Sequence, residues 1–421
     1  MQIVTPDAAI RAIPDGVNVI MPGGCAEPTT LYDAFSAGIA RFSRLTVYSG
    51  FSFGRYGYLQ RGLGEHFRFV TWQASAALRP LFKENDPRKV GFVPIRLADL
   101  NRVVSRDGPI RPDVVVLQTS PPQPDGTVSL GTSVGANLDF AADAGTVIAE
   151  FNPNMPVTAG DSRVPLSRIA VAIEAATPLC TYRTPAAKPR DQAIVEHVLS
   201  LVPEQAWVQL GIGAVPDRVL TRLAEIRGVN LFSGLLTSGL QQYFADVRHA
   251  PQVTAGELAG DAEFYAFAAR EPRLRMAPLR DTHNVARLAA LPRFVSINSA
   301  VEIDLQGQSN GETLGAVPIS GVGGSMDYVE AAAQSTGGVS IIAMPATTDD
   351  GRHSKIVPRL ADGAPVTTPR FAVDCVITEY GIARLKGRDL HARAEALIAI
   401  AHPDFRDALA ASLQRGTGAF A

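Results

Sequence analysis

Three cysteines in 421 residues, Cys25, Cys180 and Cys375, lie too far apart in the chain for a disulfide framework or for the paired ligands of a zinc site. Charge of one sign is also scarce, with a formal net of -2. That balance offers no broad attraction to nucleic acid or to an anionic lipid surface, so neither is expected as a partner. Long apolar runs are absent: none approaches the roughly 20 residues of a membrane-spanning helix, and Met1 to Asp15 lacks the continuous apolar stretch of a secretory signal. A reducing cytoplasm is the expected compartment. The seven histidines show no metal-ligand spacing, and no metal is expected.

What the chain does have is a 46% apolar, 19% charged composition with 37 glycines and 30 prolines, which suits a soluble globular protein. Its length favours two or three domains. Short β-branched runs alternate with helical stretches: Val17 to Met21 before Leu31 to Arg41, then Val114 to Gln118, Val147 to Phe151, Trp207 to Leu210 before Asp217 to Ile226, and Ile341 to Met344. Continuous apolar strands separated by helices predict an α/β fold with mostly parallel sheets covered on both faces.

An internal echo predicts two similar open α/β domains. A strand leading into Pro22-Gly23-Gly24-Cys25-Ala26-Glu27-Pro28 and a helix has a counterpart in the strand, Gly211-Ile212-Gly213-Ala214-Val215-Pro216 and helix, with Pro28 and Pro216 188 residues apart. The segment Tyr182 to Arg190, rich in proline and charge, reads as the linker and sets the domains at 1–185 and 186–421.

Glycines at Gly211 and Gly213 let backbone approach a ligand, and Pro216 suits a first helical turn whose amides could face an anion. A third glycine at dinucleotide spacing is missing, which disfavours a Rossmann reading; an empty strand-to-helix turn is the alternative. Gly323 and Gly324, ahead of a helix over Met326 to Ala333, could present amides to a carbonyl, or could form a simple flexible loop. Glu27-Pro28 and Glu150 to Pro156 sit at predicted strand ends, where open α/β sheets bind ligands, but their prolines equally serve rigid connections.

Taken in order, the segments 22–28 (PGGCAEP), 86–95 (DPRKVGFVPI), 118–131 (QTSPPQPDGTVSLG), 150–162 (EFNPNMPVTAGDS), 210–217 (LGIGAVPD), 294–308 (FVSINSAVEIDLQGQ), 320–332 (SGVGGSMDYVEAA), 341–348 (IIAMPATT), 376–387 (VITEYGIARLKG) and 400–409 (IAHPDFRDAL) resemble the acetyl-CoA hydrolase/transferase family, which includes the 4-hydroxybutyrate CoA-transferases. The resemblance implies two CoA-transferase-type domains, with acyl-CoA held at their junction and mainly by the second. It implies CoA contacts at Gly211, Ile212, Gly213, Ala214 and Val215, support from Asn298 to Glu302, and oxyanion amides at Gly323 and Gly324. No permanent cofactor is implied: coenzyme A thioesters are substrates, a small carboxylic acid or water is the second reactant, and a homo-oligomer is expected.

Family transferases carry a nucleophilic glutamate in a segment resembling His-Ser-Glu-Met. The aligned residues here are Phe232, Ser233, Gly234 and Leu235, so the histidine and the glutamate are both missing, 23 residues beyond Gly211. One unusual carboxylate occurs nearby: Glu257, in Val253 to Gly260, where the family carries an apolar residue at a strand end close to the site. Either Glu257 is a solvated loop residue or it replaces the missing group as nucleophile or general base. The expected activity is thioester hydrolysis or CoA transfer without the usual glutamyl-CoA intermediate at the family position. The alternatives are a ring-opening or β-keto carbon–carbon hydrolase acting on an acyl-CoA, and an inactive acyl-CoA-binding protein.

Overall fold

A computed structural model describes residues 1–54 and 57–414. Their contacts divide them into two compact units, one of Met1–Arg183, Gly234–Ser238 and Val253–Thr282, the other of Thr184–Ser233, Gly239–Gln252 and the residues from His283 onward. The sequence reading draws a contiguous cut at 185/186; the contact-based units are discontinuous, because two segments of the second half pack with the first.

In the first unit, eight strands form one sheet in the spatial order Gln2–Ile3, Ile169–Glu174, Thr146–Phe151, Val114–Thr119, Asn18–Met21, Leu45–Ser49, Phe67–Thr71 and Val90–Phe92, parallel throughout. Val114–Thr119 is buried along its whole length, as a β-branched strand covered on both faces should be. The helix Thr29–Ala37 inserts Leu31, Tyr32 and Phe35 into a core shared with Phe42, Tyr58, Phe67 and Phe69. It stops at Gly38 and continues as a tighter turn, Ile39–Arg41, so the expected helix over 31–41 is two elements. Residues 253–282 add two parallel strands, Val253–Ala259 and Leu274–Met276, the second pairing with Ala159–Gly160.

In the second unit the order is Gly381–Arg384, Cys375–Thr378, Val339–Ala343, Phe294–Asn298, Trp207–Leu210, then the start of Asn230–Thr237. Among the described strands of this sheet, the hairpin partner Gly381–Arg384 is the one that pairs antiparallel. The internal echo is visible in each unit by itself. Asn18–Met21 lies between Val114–Thr119 and Leu45–Ser49, just as Trp207–Leu210 lies between Phe294–Asn298 and Asn230–Thr237. Both strands run into a glycine turn and a helix, Thr29–Ala37 in one case and Ala214–Arg222 in the other. The fold is α/β with mostly parallel sheets.

Candidate active site

Glu257 is no loop residue. It lies inside the strand Val253–Ala259, and its backbone is registered against a loop of the same unit: Val134 and Gly135 each donate an N–H to Gly256 O at 3.0 Å, and Leu258 N donates to Thr132 O at 2.8 Å. Ser133 and Glu257 therefore sit directly opposite as an isolated antiparallel bridge, and the Ser133 hydroxyl donates to Glu257 Oε2. Two glycines close the cradle. A Cβ at Gly24 would stand 2.9 Å from Glu257 Oε2, and one at Gly135 would run into Oε1. The residue is half-buried, and its carboxyl oxygens lie against Ser133, Gly24 and Gly135. Burial disfavours the anion and pushes the carboxyl up to about 8, against the opposing pull of the Ser133 hydroxyl.

Gly234 lies beside the strand that carries Glu257. Its carbonyl oxygen stands 2.9 Å from where a Cβ of Gly256 would lie, so the backbone at 234 passes beside the residue that precedes Glu257. The strand Asn230–Thr237 is buried at Leu231, Phe232 and Ser233 and opens at Gly234 and Leu235.

Two further carboxylates at strand ends of the first unit have different surroundings. Glu150 is fully buried but richly served: Leu31 N–H reaches Oε2 at 3.1 Å, while Gln118 Nε2 and Thr177 Oγ1 reach Oε1 at 3.2 and 3.3 Å. It ties the first turn of the helix Thr29–Ala37 to the sheet. Glu27 is buried and accepts from Gly54 N at 3.3 Å; burial, then the nearby Cys180 sulfur, pushes it up to about 8. Cys25 and Cys180, distant in sequence, meet in space: the contact with Cys180, then burial, pushes the Cys25 thiol up, and Cys180 is lowered by the same contact. Sequence spacing could not show that pairing.

In the second unit, Gly211 N donates to Ile297 O at 3.0 Å at the carboxyl end of the central strands, Ile212 is exposed, and Gly213 at φ +125° is the N-cap of Ala214–Arg222, with Val215 buried beneath. Asn298 and Gln209, at the ends of adjacent strands, exchange amide hydrogen bonds at 3.1 and 3.3 Å. Glu302 stands apart from that pair, in the short strand Glu302–Asp304, where it accepts from Asn310 Nδ2 at 3.2 Å. Gly323 and Gly324 lead into the helix Ser325–Gln334. A side chain at Gly324 would strike the His283 ring, whose Nε2 lies 3.2 Å from Tyr328 OH. Burial lowers His283 to about 3, so it is a neutral imidazole behind the glycine turn. No motif pointed to His283; only its packing reveals it.

Among the described residues, no group of three or more His, Cys, Asp or Glu is placed to hold a metal ion, and no helix is long and apolar enough to cross a membrane.

Comparison with known proteins gives this arrangement its context. Residues 1–197 match the acetyl-CoA hydrolase/transferase N-terminal domain and residues 260–413 the corresponding C-terminal domain. The chain is 33% identical over 416 residues to the 4-hydroxybutyrate coenzyme A transferase of Clostridium kluyveri, covering 97% of this chain and 96% of that protein. The crystal structure of RipA from Yersinia pestis superposes with a TM-score of 0.91 at 28% identity, over 99% of this chain and 98% of that one. The 4-hydroxybutyrate CoA-transferase of Porphyromonas gingivalis gives 0.81 at 29%, over 98% and 97%. A parallel-sheet architecture, the ordered glycine turns and full-length similarity together establish that the chain belongs to the acetyl-CoA hydrolase/transferase family.

Proposed function

We propose that the chain acts on acyl-CoA by thioester hydrolysis or by CoA transfer between carboxylic acids, with Glu257 as the reacting carboxylate in place of one at position 234. The observation that carries this reading is the cradle at Glu257: a half-buried glutamate, its carboxyl raised to about 8, enclosed by Gly24, Gly135 and Ser133 and one strand from Gly234. A carboxylate whose proton affinity is raised is a stronger base and nucleophile than a solvated one.

In transfer, a Glu257 oxygen attacks the thioester carbonyl, the C–S bond breaks, and CoA leaves as thiolate, giving a mixed anhydride of Glu257 and the first acid. The thiolate then attacks the glutamyl carbonyl, releasing the first acid and leaving CoA on Glu257; an incoming carboxylate reverses the sequence. In hydrolysis, the same oxygen takes a proton from the water that attacks the thioester. Gly323 and Gly324 as oxyanion donors, and Gly211 to Val215 with Asn298 and Glu302 as CoA contacts, belong to this proposal. Neutral His283, packed against Gly324, suits an amide turn that must not move as charge develops.

The test is incubation with acetyl-CoA and butyryl-CoA, with and without acetate, followed by mass measurement of protein and products. An adduct on Glu257 identifies transfer; free acid with no adduct identifies hydrolysis. Full turnover by Glu257→Gln would remove the assignment.

A further inference from the structure

A carboxylate that must react has to be aimed as well as ionised, and the surroundings of Glu257 supply few groups for either task. The loops that close on it, 132–135 and 23–24, bring hydroxyls and glycines rather than charges. Ser133 is the side chain that donates to it, and Ser133 is itself held. Asn137, buried at the start of the helix Asn137–Asp143, places its Nδ2 2.9 Å from the Ser133 carbonyl oxygen and 3.1 Å from Ser133 Oγ. A backbone carbonyl can only accept, so this contact fixes which end of the Asn137 amide is the nitrogen. An amide nitrogen offers hydrogens only, so Ser133 Oγ is an acceptor toward Asn137 and its own hydrogen must go elsewhere. Two acceptors are within reach: Glu257 Oε2, and the Gly23 carbonyl at 3.5 Å. Oε2 is the nearer, and in the ionised form that reacts it is also charged, so it wins.

We propose that Ser133, oriented by Asn137, is the positioning residue of Glu257: its hydroxyl hydrogen is directed at Oε2, which fixes the plane of the carboxylate and leaves Oε1 as the oxygen that meets the thioester or the attacking water. The arrangement does not depend on a chance rotamer, because the backbone bridge sets residues 133 and 257 opposite each other across 124 positions of sequence. It rests on the reading of Glu257 as the reacting group.

The experiment compares Ser133→Ala and Ser133→Cys with wild type and with Glu257→Gln, using butyryl-CoA with acetate and butyryl-CoA alone, over the neutral to alkaline range. Removing one charge-assisted donor should lower kcat by roughly ten- to a hundredfold in Ser133→Ala, leave KM for butyryl-CoA within about twofold, and move the rising limb of the pH profile to higher pH, since the hydroxyl favours the carboxylate anion. Ser133→Cys, with a weak S–H donor of similar shape, should fall between the two and shift the limb in the same direction. Wild-type kcat and an unmoved limb in Ser133→Ala, beside an inactive Glu257→Gln, would overturn the positioning role alone. Full activity in Glu257→Gln would instead bring down the functional reading beneath it. If Ser133→Ala does not fold, Ser133→Cys decides: an unmoved limb there is the overturning result.

Discussion

Glu150 and Glu257 both stand on parallel strands of the first unit, one fully and one half-buried, and burial raises both, yet their environments differ in donors. Glu150 is met by Leu31 N–H, Gln118, Thr177 and the Thr30 side chain, so its oxygens are committed to holding a helix. Glu257 has the Ser133 hydroxyl and a wall of backbone where side chains are missing. A saturated carboxylate is a structural tie; an under-served one retains its basicity and an oxygen to spend on chemistry.

The largest effect that would sharpen this contrast is Glu257→Gln, expected to cut turnover of butyryl-CoA by about a thousandfold or more while CoA affinity measured by calorimetry stays nearly unchanged. Next comes Gly135→Ala. The added methyl displaces Oε1, and a misplacement of that size costs on the order of tenfold to a hundredfold in kcat, with about 1–3 kcal/mol of stability lost to overpacking; steady-state kinetics and urea unfolding read the two effects. Glu150→Gln is predicted to do the reverse. An amide nitrogen facing donors loses about 1–3 kcal/mol, so the urea midpoint falls while kcat per folded molecule holds. Equal loss of kcat in Glu150→Gln and Glu257→Gln would erase the distinction between them.

The smallest effect is a pH dependence of stability. Glu257 titrates near 8 in the fold against 4.5 as the ordinary value, so between these the folded chain binds the extra proton and stability falls as pH rises through that window. Glu257→Gln removes the titration. Its Tm should match wild type below the window and exceed it by a few degrees above, and parallel curves across pH would contradict the assignment.

Much of this was legible in the sequence, and what was not has a common cause. The strands at 18–21, 114–119, 146–151, 207–210 and 339–343 and the helix at 325–334 follow from local pattern, since apolar periodicity and glycine turns act over a few residues. Gly234 and Glu257 attracted notice because each is chemically out of place. Ser133 carried no such mark, although it lies between Gly131 and Gly135, and its partner is 124 residues away. The same holds for His283 behind Gly324 and for Cys25 against Cys180. Two-residue strands such as Gln2–Ile3 and Ala159–Gly160 also escape periodicity, being no longer than one repeat of it.

The cradle around Glu257 carries a consequence for anyone redesigning this enzyme. Positions 24, 135 and 257 share one small volume, so they cannot be diversified independently: a bulkier group at 257 has nowhere to go, a methyl at Gly135 is tolerated only with a shorter group opposite, and Gly24 at φ +66° strains any side chain. Productive variants will therefore be found as paired exchanges, and a library that randomises one of these sites at a time will return mostly inactive clones.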